Sequence, residues 1–330
     1  MSAGRPVQPH TNEYKWVANV IRSVEKLSGT PTRWNGELYE ETRAKAAGSA
    51  LNDGGMTVNV DEVLKPVALA YTAGRRLTED ELIDVRDAVL TVVHEARHLT
   101  HQLGDESAPG ATPVYSPDTL ALEEGLTETW THQNADAVIH DIGMDAVQPG
   151  LLGTESFDNY PAYTAATDEL IRGTAEVSGL SQAQVVEGLE RADRTQRWSA
   201  VADLVIDQRM ADVMPPEDRE VVRGQLVQAM RPHLGDVAAA QESEIQSDVG
   251  KSIAGHQSAQ RATIALSTTV ADIENNYRDG HRQQGEVEHL RKFLGGEMPP
   301  NAGFRSRGDG AVPDNVRHLH GERGQGQGRE

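Results

Sequence analysis

The chain predicts a mostly helical α+β fold with a small edge sheet and a helical C-terminal extension. Three features point there. Apolar residues return at steps of three and four in segment after segment, the spacing of amphipathic helices. One short run, Met56-Thr57-Val58-Asn59-Val60, alternates with period two and is rich in β-branched residues, as a half-buried strand is. The stretch from Asp236 to about Phe293 is polar, punctuated by glycine and weakly periodic, which fits one long helix or two.

Taken in order, residues 1–11 read as a loose tail, and helices are expected over Glu13–Leu27 and Gly36–Ala50. The strand at Met56–Val60 follows, with a second short strand at Val67–Tyr71. Thr78 and Glu81 form a capping box, and no Gly or Pro interrupts the chain from there to Leu103. Leu82, Val85, Val89, Val92, Ala96, Leu99 and Leu103 share one face of the resulting helix, which Gly104 ends. Ser116-Pro117 supplies a cap and first-turn proline for a helix to about His140. Tyr163 opens a helical segment backed by Ala166 and Leu170. A second capping box, Ser181 with Gln184, starts a helix to Arg191, and further helices span Arg194–Asp212 and Pro216–Met230. The main domain is thus expected over residues 12–233 and the helical extension over 234–294, the latter a candidate surface for a protein partner through residues 236–293. From Gly295 onward, Gly, Arg and Pro content reads as disorder, and the isolated His318 and His320 there are not taken as ligands.

Composition narrows the function. The absence of cysteine among 330 residues excludes disulfide scaffolds and thiolate metal sites, so any metal must be held by histidine and carboxylate. A formal charge of −20 repels phosphate and argues against nucleic-acid partners. No stretch approaches membrane-spanning length, and Met1–His10 is polar and proline-containing, unlike a signal peptide. A cytoplasmic location is the expectation, with export that needs no cleavable signal as the alternative.

The chemistry concentrates in His94-Glu95-Ala96-Arg97-His98. Residues four apart share a helix face, so His94 and His98 can bind one metal ion together. Glu95 projects to the side, where a carboxylate can take a proton from a water activated by that metal. Val92 and Val93 place His94 on a buried turn, as a well-held ligand requires. A catalytic zinc takes three protein ligands, and Glu124 and Glu128 lie four apart on the next helix. One of the two could ligate while the other accepts the hydrogen bond from a ligand histidine's free ring nitrogen. His101 is expected to cap the end of the first helix.

HEARH followed by a helix bearing Glu123-Glu124-Gly125-Leu126-Thr127-Glu128 resembles the gluzincin zinc metallopeptidases, the group of the thermolysin-like peptidases and zinc aminopeptidases. The resemblance covers roughly residues 56–135 and implies a zincin-like core, a single Zn²⁺ held by His94, His98 and Glu124, and Glu128 as the acidic residue supporting a histidine. It also implies Glu95 as general base in the hydrolysis of a peptide or protein substrate. Glu123 stands where that group has Asn, and Gly54-Gly55-Met56 lacks the Glu that grips a substrate amino terminus in the aminopeptidases, which favours an endopeptidase. Such enzymes use a Tyr or His to stabilise the oxyanion. Tyr160, Tyr163 and His132 are the candidates, Tyr163 first. In zincins a strand beside the active-site helix binds the substrate backbone, and Met56–Val60 is the candidate for that task. Two other readings stand beside the peptidase. One is an effector or toxin metalloprotease delivered into another cell, the other a non-catalytic zinc-binding assembly module.

Overall fold

The structure is a computed structural model that describes residues 4–41, 43 and 46–294. It is mostly helical with one three-stranded sheet. Helix α1 (Asn12–Ser28) begins at Thr11, whose side chain accepts from the Tyr14 amide, and ends at Gly29 in the left-handed conformation. It presents Trp16, Val17, Val20, Ile21 and Val24 to the core.

The next segment departs from expectation. Gly36–Ala50 is not a helix: it contains strands β1 (Leu38–Glu40) and β2 (Gly48–Ala50). Strand β3 (Met56–Val58) lies between them, parallel to β1 and antiparallel to β2. The expected strand at Met56–Val60 is therefore present but central, and both its edges are already paired. It cannot receive a substrate strand. The outer side of β1 is also covered, because Val7 donates to the Leu38 carbonyl at 2.8 Å and Glu40 donates to that of Arg5 at 2.9 Å. The expected loose tail is thus tied to the sheet at residues 5–7, and among the described residues no strand pairs with the outer side of β2.

After a π-helical turn (Val60–Leu64), Lys65–Thr72 forms helix α2, not the strand expected at Val67–Tyr71. Pro66 sits in its first turn, where a missing amide costs nothing. Helix α3 (Glu79–Thr100) opens with both halves of the Thr78/Glu81 capping box formed. Helices α4 (Pro117–Asp141), α5 (Met144–Val147), α6 (Pro161–Ser178) and α7 (Gln182–Arg191) follow, the last again with a complete capping box. Then come α8 (Arg197–Arg209), α9 (Arg219–Leu234), α10 (Val237–Gln241) and α11 (Asp248–Leu294).

Two apolar clusters form the interior. One joins α1, the sheet, α2 and α3 with the end of α4, through Val20, Met56, Val92 and Ile139. The other joins the start of α4 with α6–α9 and α11, through Leu122, Leu170, Trp198, Leu226 and Leu266. Helix α4 contributes to both. A compact unit ends at His281, so most of the expected extension is packed into it: Ala259, Ala262, Leu266 and Val270 of α11 are buried. Residues 282–294 continue the helix. The segment from Gly295, with His318 and His320, lies outside the described residues. No described helix is long and apolar enough to cross a membrane.

Candidate metal centre

Between the two clusters, α3 and α4 bring His94, His98 and Glu124 together. His94 Nε2 and His98 Nε2 are 3.0 Å apart, and Glu124 Oε2 lies 3.1 Å from the first and 3.2 Å from the second. Ligand atoms on a tetrahedral zinc, with bonds of about 2.0–2.2 Å, are separated by about 3.3–3.5 Å. The observed triangle is within a few tenths of an ångström of that.

The proton positions follow from the partners behind the rings. His94 Nδ1 donates to Glu128 Oε2 at 2.7 Å, and His98 Nδ1 donates to Glu123 Oε1 at 2.7 Å. A carboxylate can only accept, so both Nδ1 atoms carry hydrogen. In the neutral rings both Nε2 lone pairs then point at each other and at the Glu124 carboxylate. Three acceptors converging on one point repel unless positive charge sits among them. Burial alone would pull the His94 pKa down, yet hydrogen bonds to Glu124 and Glu128 outweigh it and raise it well above the ordinary value. Burial would likewise raise Glu124, but His98 and His94 hold it well below the carboxylate range. No Lys or Arg pairs with Glu124 or Glu128 among the described residues. The three groups could hold a metal ion.

Glu128 lies behind the His94 ring. Burial pushes its pKa up, and hydrogen bonds from His132 and His94 outweigh that and carry it down to about 2. His132 Nε2 and the Asn159 amide, at 3.2 and 3.0 Å, fix its other oxygen, so His132 is occupied behind the ligands. Gln241 in turn brackets the segment holding Asn159, donating to the Asn159 carbonyl at 2.8 Å and accepting from the Ala162 amide at 3.0 Å.

The bridging role of Glu123, and Arg194 and Arg197 as its partners, were not singled out from the sequence. This buried carboxylate meets His98, His101 Nδ1 at 3.2 Å, Arg194 Nε at 3.0 Å and Arg197. Burial would raise its pKa, and Arg197, His101 and Arg194 keep it well below normal. His101 is the residue after α3, as expected, but its ring bridges Glu123 and Glu190 rather than facing the helix end alone. The adjacent Glu123-Glu124 pair was the available signal: one acid turned to the two Nε2 atoms leaves its neighbour to meet the rings from behind.

The ligand triangle opens on a cavity of about 680 Å³ whose walls include β2, Glu95, Leu90, Tyr115, Leu120, Tyr160 and Arg194. Glu95 Oε2 accepts from the Ala50 amide at 2.6 Å. Bonds from Ala47 and Leu51 to the β3 side show that alternate residues of β2 pair inward, which turns the backbone groups of Gly48 and Ala50 outward. Tyr160 stacks on His94, ring centres 5.1 Å apart, and lines the cavity. Tyr163, the first candidate for oxyanion donor, is instead part of the apolar cluster, stacked behind Tyr160 at 5.9 Å. Tyr160 stands at the entrance of α6, just before its first residue Pro161 and three positions ahead of Tyr163.

Fold and site together define a mostly helical α+β protein with a histidine–carboxylate group able to hold a metal ion. No protein family, curated protein or solved structure matches this chain.

Proposed function

We propose that the chain is a zinc-dependent peptidase with a zincin-like core. The observation that carries this reading is the convergence of His94 Nε2, His98 Nε2 and Glu124 Oε2 beside Glu95, in a cavity bordered by the outer side of β2. Zinc is favoured over hard cations by the two imidazoles, and three ligands leave a coordination position open. When bound there, zinc supplies Lewis acidity, which polarises a carbonyl and acidifies water.

The protein's own groups do the remaining work. Glu128 and Glu123 hold the ligand rings in one tautomer and orientation. Glu95 takes a proton from water and returns it to the departing amine. Its tie to the Ala50 amide sets the base against β2, whose other outward groups, those of Gly48 and the Ala50 carbonyl, can pair with a substrate strand. Tyr160, stacked on His94, replaces Tyr163 as the candidate hydroxyl for the oxyanion.

The test is elemental analysis of wild type, His98→Ala and Glu124→Ala, with hydrolysis of an unfolded protein by wild type and Glu95→Gln. One zinc per wild-type chain, lost in both ligand variants, is expected. Glu95→Gln should keep zinc and lose activity by at least about 100-fold. Full activity in Glu95→Gln, or zinc-free wild type after loading, would overturn the reading.

A further inference from the structure

One end of the cavity is bridged. Strand β2 runs alongside α3 in the same direction: Gly48 lies against Thr91 and Glu95, and the Ala50 amide meets Glu95. Two residues further, Asn52 is joined to the end of α3 by Arg33, which donates to the Asn52 carbonyl at 3.2 Å and to that of His101 at 3.0 Å. Above this floor Tyr115, from the loop between α3 and α4, donates its hydroxyl to Asn52 Oδ1 at 2.8 Å. Tyr115 and Asn52 both line the cavity that holds the ligand triangle. Asn52 thus marks where the outward edge of β2 stops being available.

We infer that the Tyr115–Asn52 bridge closes the His98 end of the cleft, so that the substrate is a peptide cut within about two residues of one of its chain ends. The inference rests on the peptidase reading and sharpens it from endopeptidase to a terminus-directed enzyme. Its length scale comes from the strand. Outward-facing positions on β2 recur every second residue, about 6.8 Å apart, so one such step separates Ala50 from the bridge. A chain paired beside Glu95 reaches Tyr115 after about that distance. Tyr115 is 64% exposed, so its ring is held by this bond and not by packing.

The experiment uses the zinc-loaded full chain and synthetic peptides of about twenty residues, which extend to about 66 Å and cannot fit inside the cavity. Each peptide is supplied with free ends, with an acetylated amino end, with an amidated carboxyl end, and with both. Products of wild type and Tyr115→Ala are read by mass spectrometry, with zinc content confirming that the variant is folded. Wild type should release fragments of about one to three residues from a single end and fail when that end is blocked. In Tyr115→Ala the ratio of internal to terminal cuts should rise by at least about tenfold. Wild-type cleavage in the middle of the doubly blocked peptide overturns the closed end and leaves the peptidase reading standing. An unchanged cleavage pattern in Tyr115→Ala overturns it too. Zinc-loaded wild type that cuts none of the peptides overturns both.

Discussion

At the scale of single residues, the least expected is Glu123. It is 2% exposed, and it holds the His98 ring on one side while neutralising two arginines on the other. Its removal takes their direct carboxylate partner from the buried Arg197 and the partly buried Arg194, leaving Glu190 as the acid near Arg197, and frees the His98 ring. Glu123→Ala should therefore weaken metal binding about 10- to 100-fold and lower stability by about 3–5 kcal/mol, measured by chelator competition and denaturant unfolding. A variant that loses affinity alone would show that the arginines find other partners. Asp87 acts in the opposite sense. Burial, then the neighbouring Asp84, raises its pKa to about 6. A carboxyl raised above its unfolded value, about 3.9, keeps its proton longer when folded, so its contribution to stability is lost as pH climbs from about 4 through 6. Asp87→Asn should raise the melting temperature above pH 6 and bring no gain below pH 4. A gain of equal size at both would place the effect in packing.

Elements were legible where local chemistry decides them. The start of α3 follows from Thr78 and Glu81, and the His94/His98 pair came with that helix. Its end did not: the helix stops at Thr100, short of Leu103 and Gly104, because His101 turns extended to bring its ring to Glu123 and Glu190. Strands β1 and β2 were hidden because each is three residues long and held by partners distant in sequence, while alanines around them favour a helix. Val67–Tyr71 is a short apolar run that suits strand or helix alike, and Pro66 was the deciding signal. Gly125 explains itself only in three dimensions. A Cβ there would meet Thr167 Oγ1 at 2.2 Å and the Tyr163 carbonyl at 2.5 Å, so the residue after Glu124 must be bare for α6 to approach. Gly125→Ala should push α6 from α4 at a cost of about 1–3 kcal/mol and weaken metal binding, because Glu124 and the Tyr160 entrance separate together. Unchanged zinc affinity with lowered stability would mean that α4 alone sets the ligand.

For the whole molecule, the helices beyond residue 234 are structural partners of the candidate metal centre. A Cβ at Gly255 of α11 would lie 2.0 Å from the Ala162 carbonyl, and one at Gly173 of α6 would meet Thr263 at 2.3 Å, so α11 and α6 approach backbone to backbone at one glycine and backbone to side chain at the other. Truncation after Gln246 removes the buried Ala259, Ala262, Leu266 and Val270 and should give a protein with reduced helicity and an early, broad melting transition by circular dichroism. A sharp transition at the wild-type temperature would show that residues 1–246 are self-sufficient.

Gln241 carries that dependence into handling of the protein. It bonds the two ends of the segment on which Tyr160 is mounted and from which Asn159 steadies Glu128. The segment that follows it, residues 242–247, includes Ile245 at 97% exposure, a ready point for a protease. A preparation nicked there would retain every ligand residue and still surrender its ion early to a chelator. The rate of metal release therefore doubles as a gauge of whether a purified sample is whole.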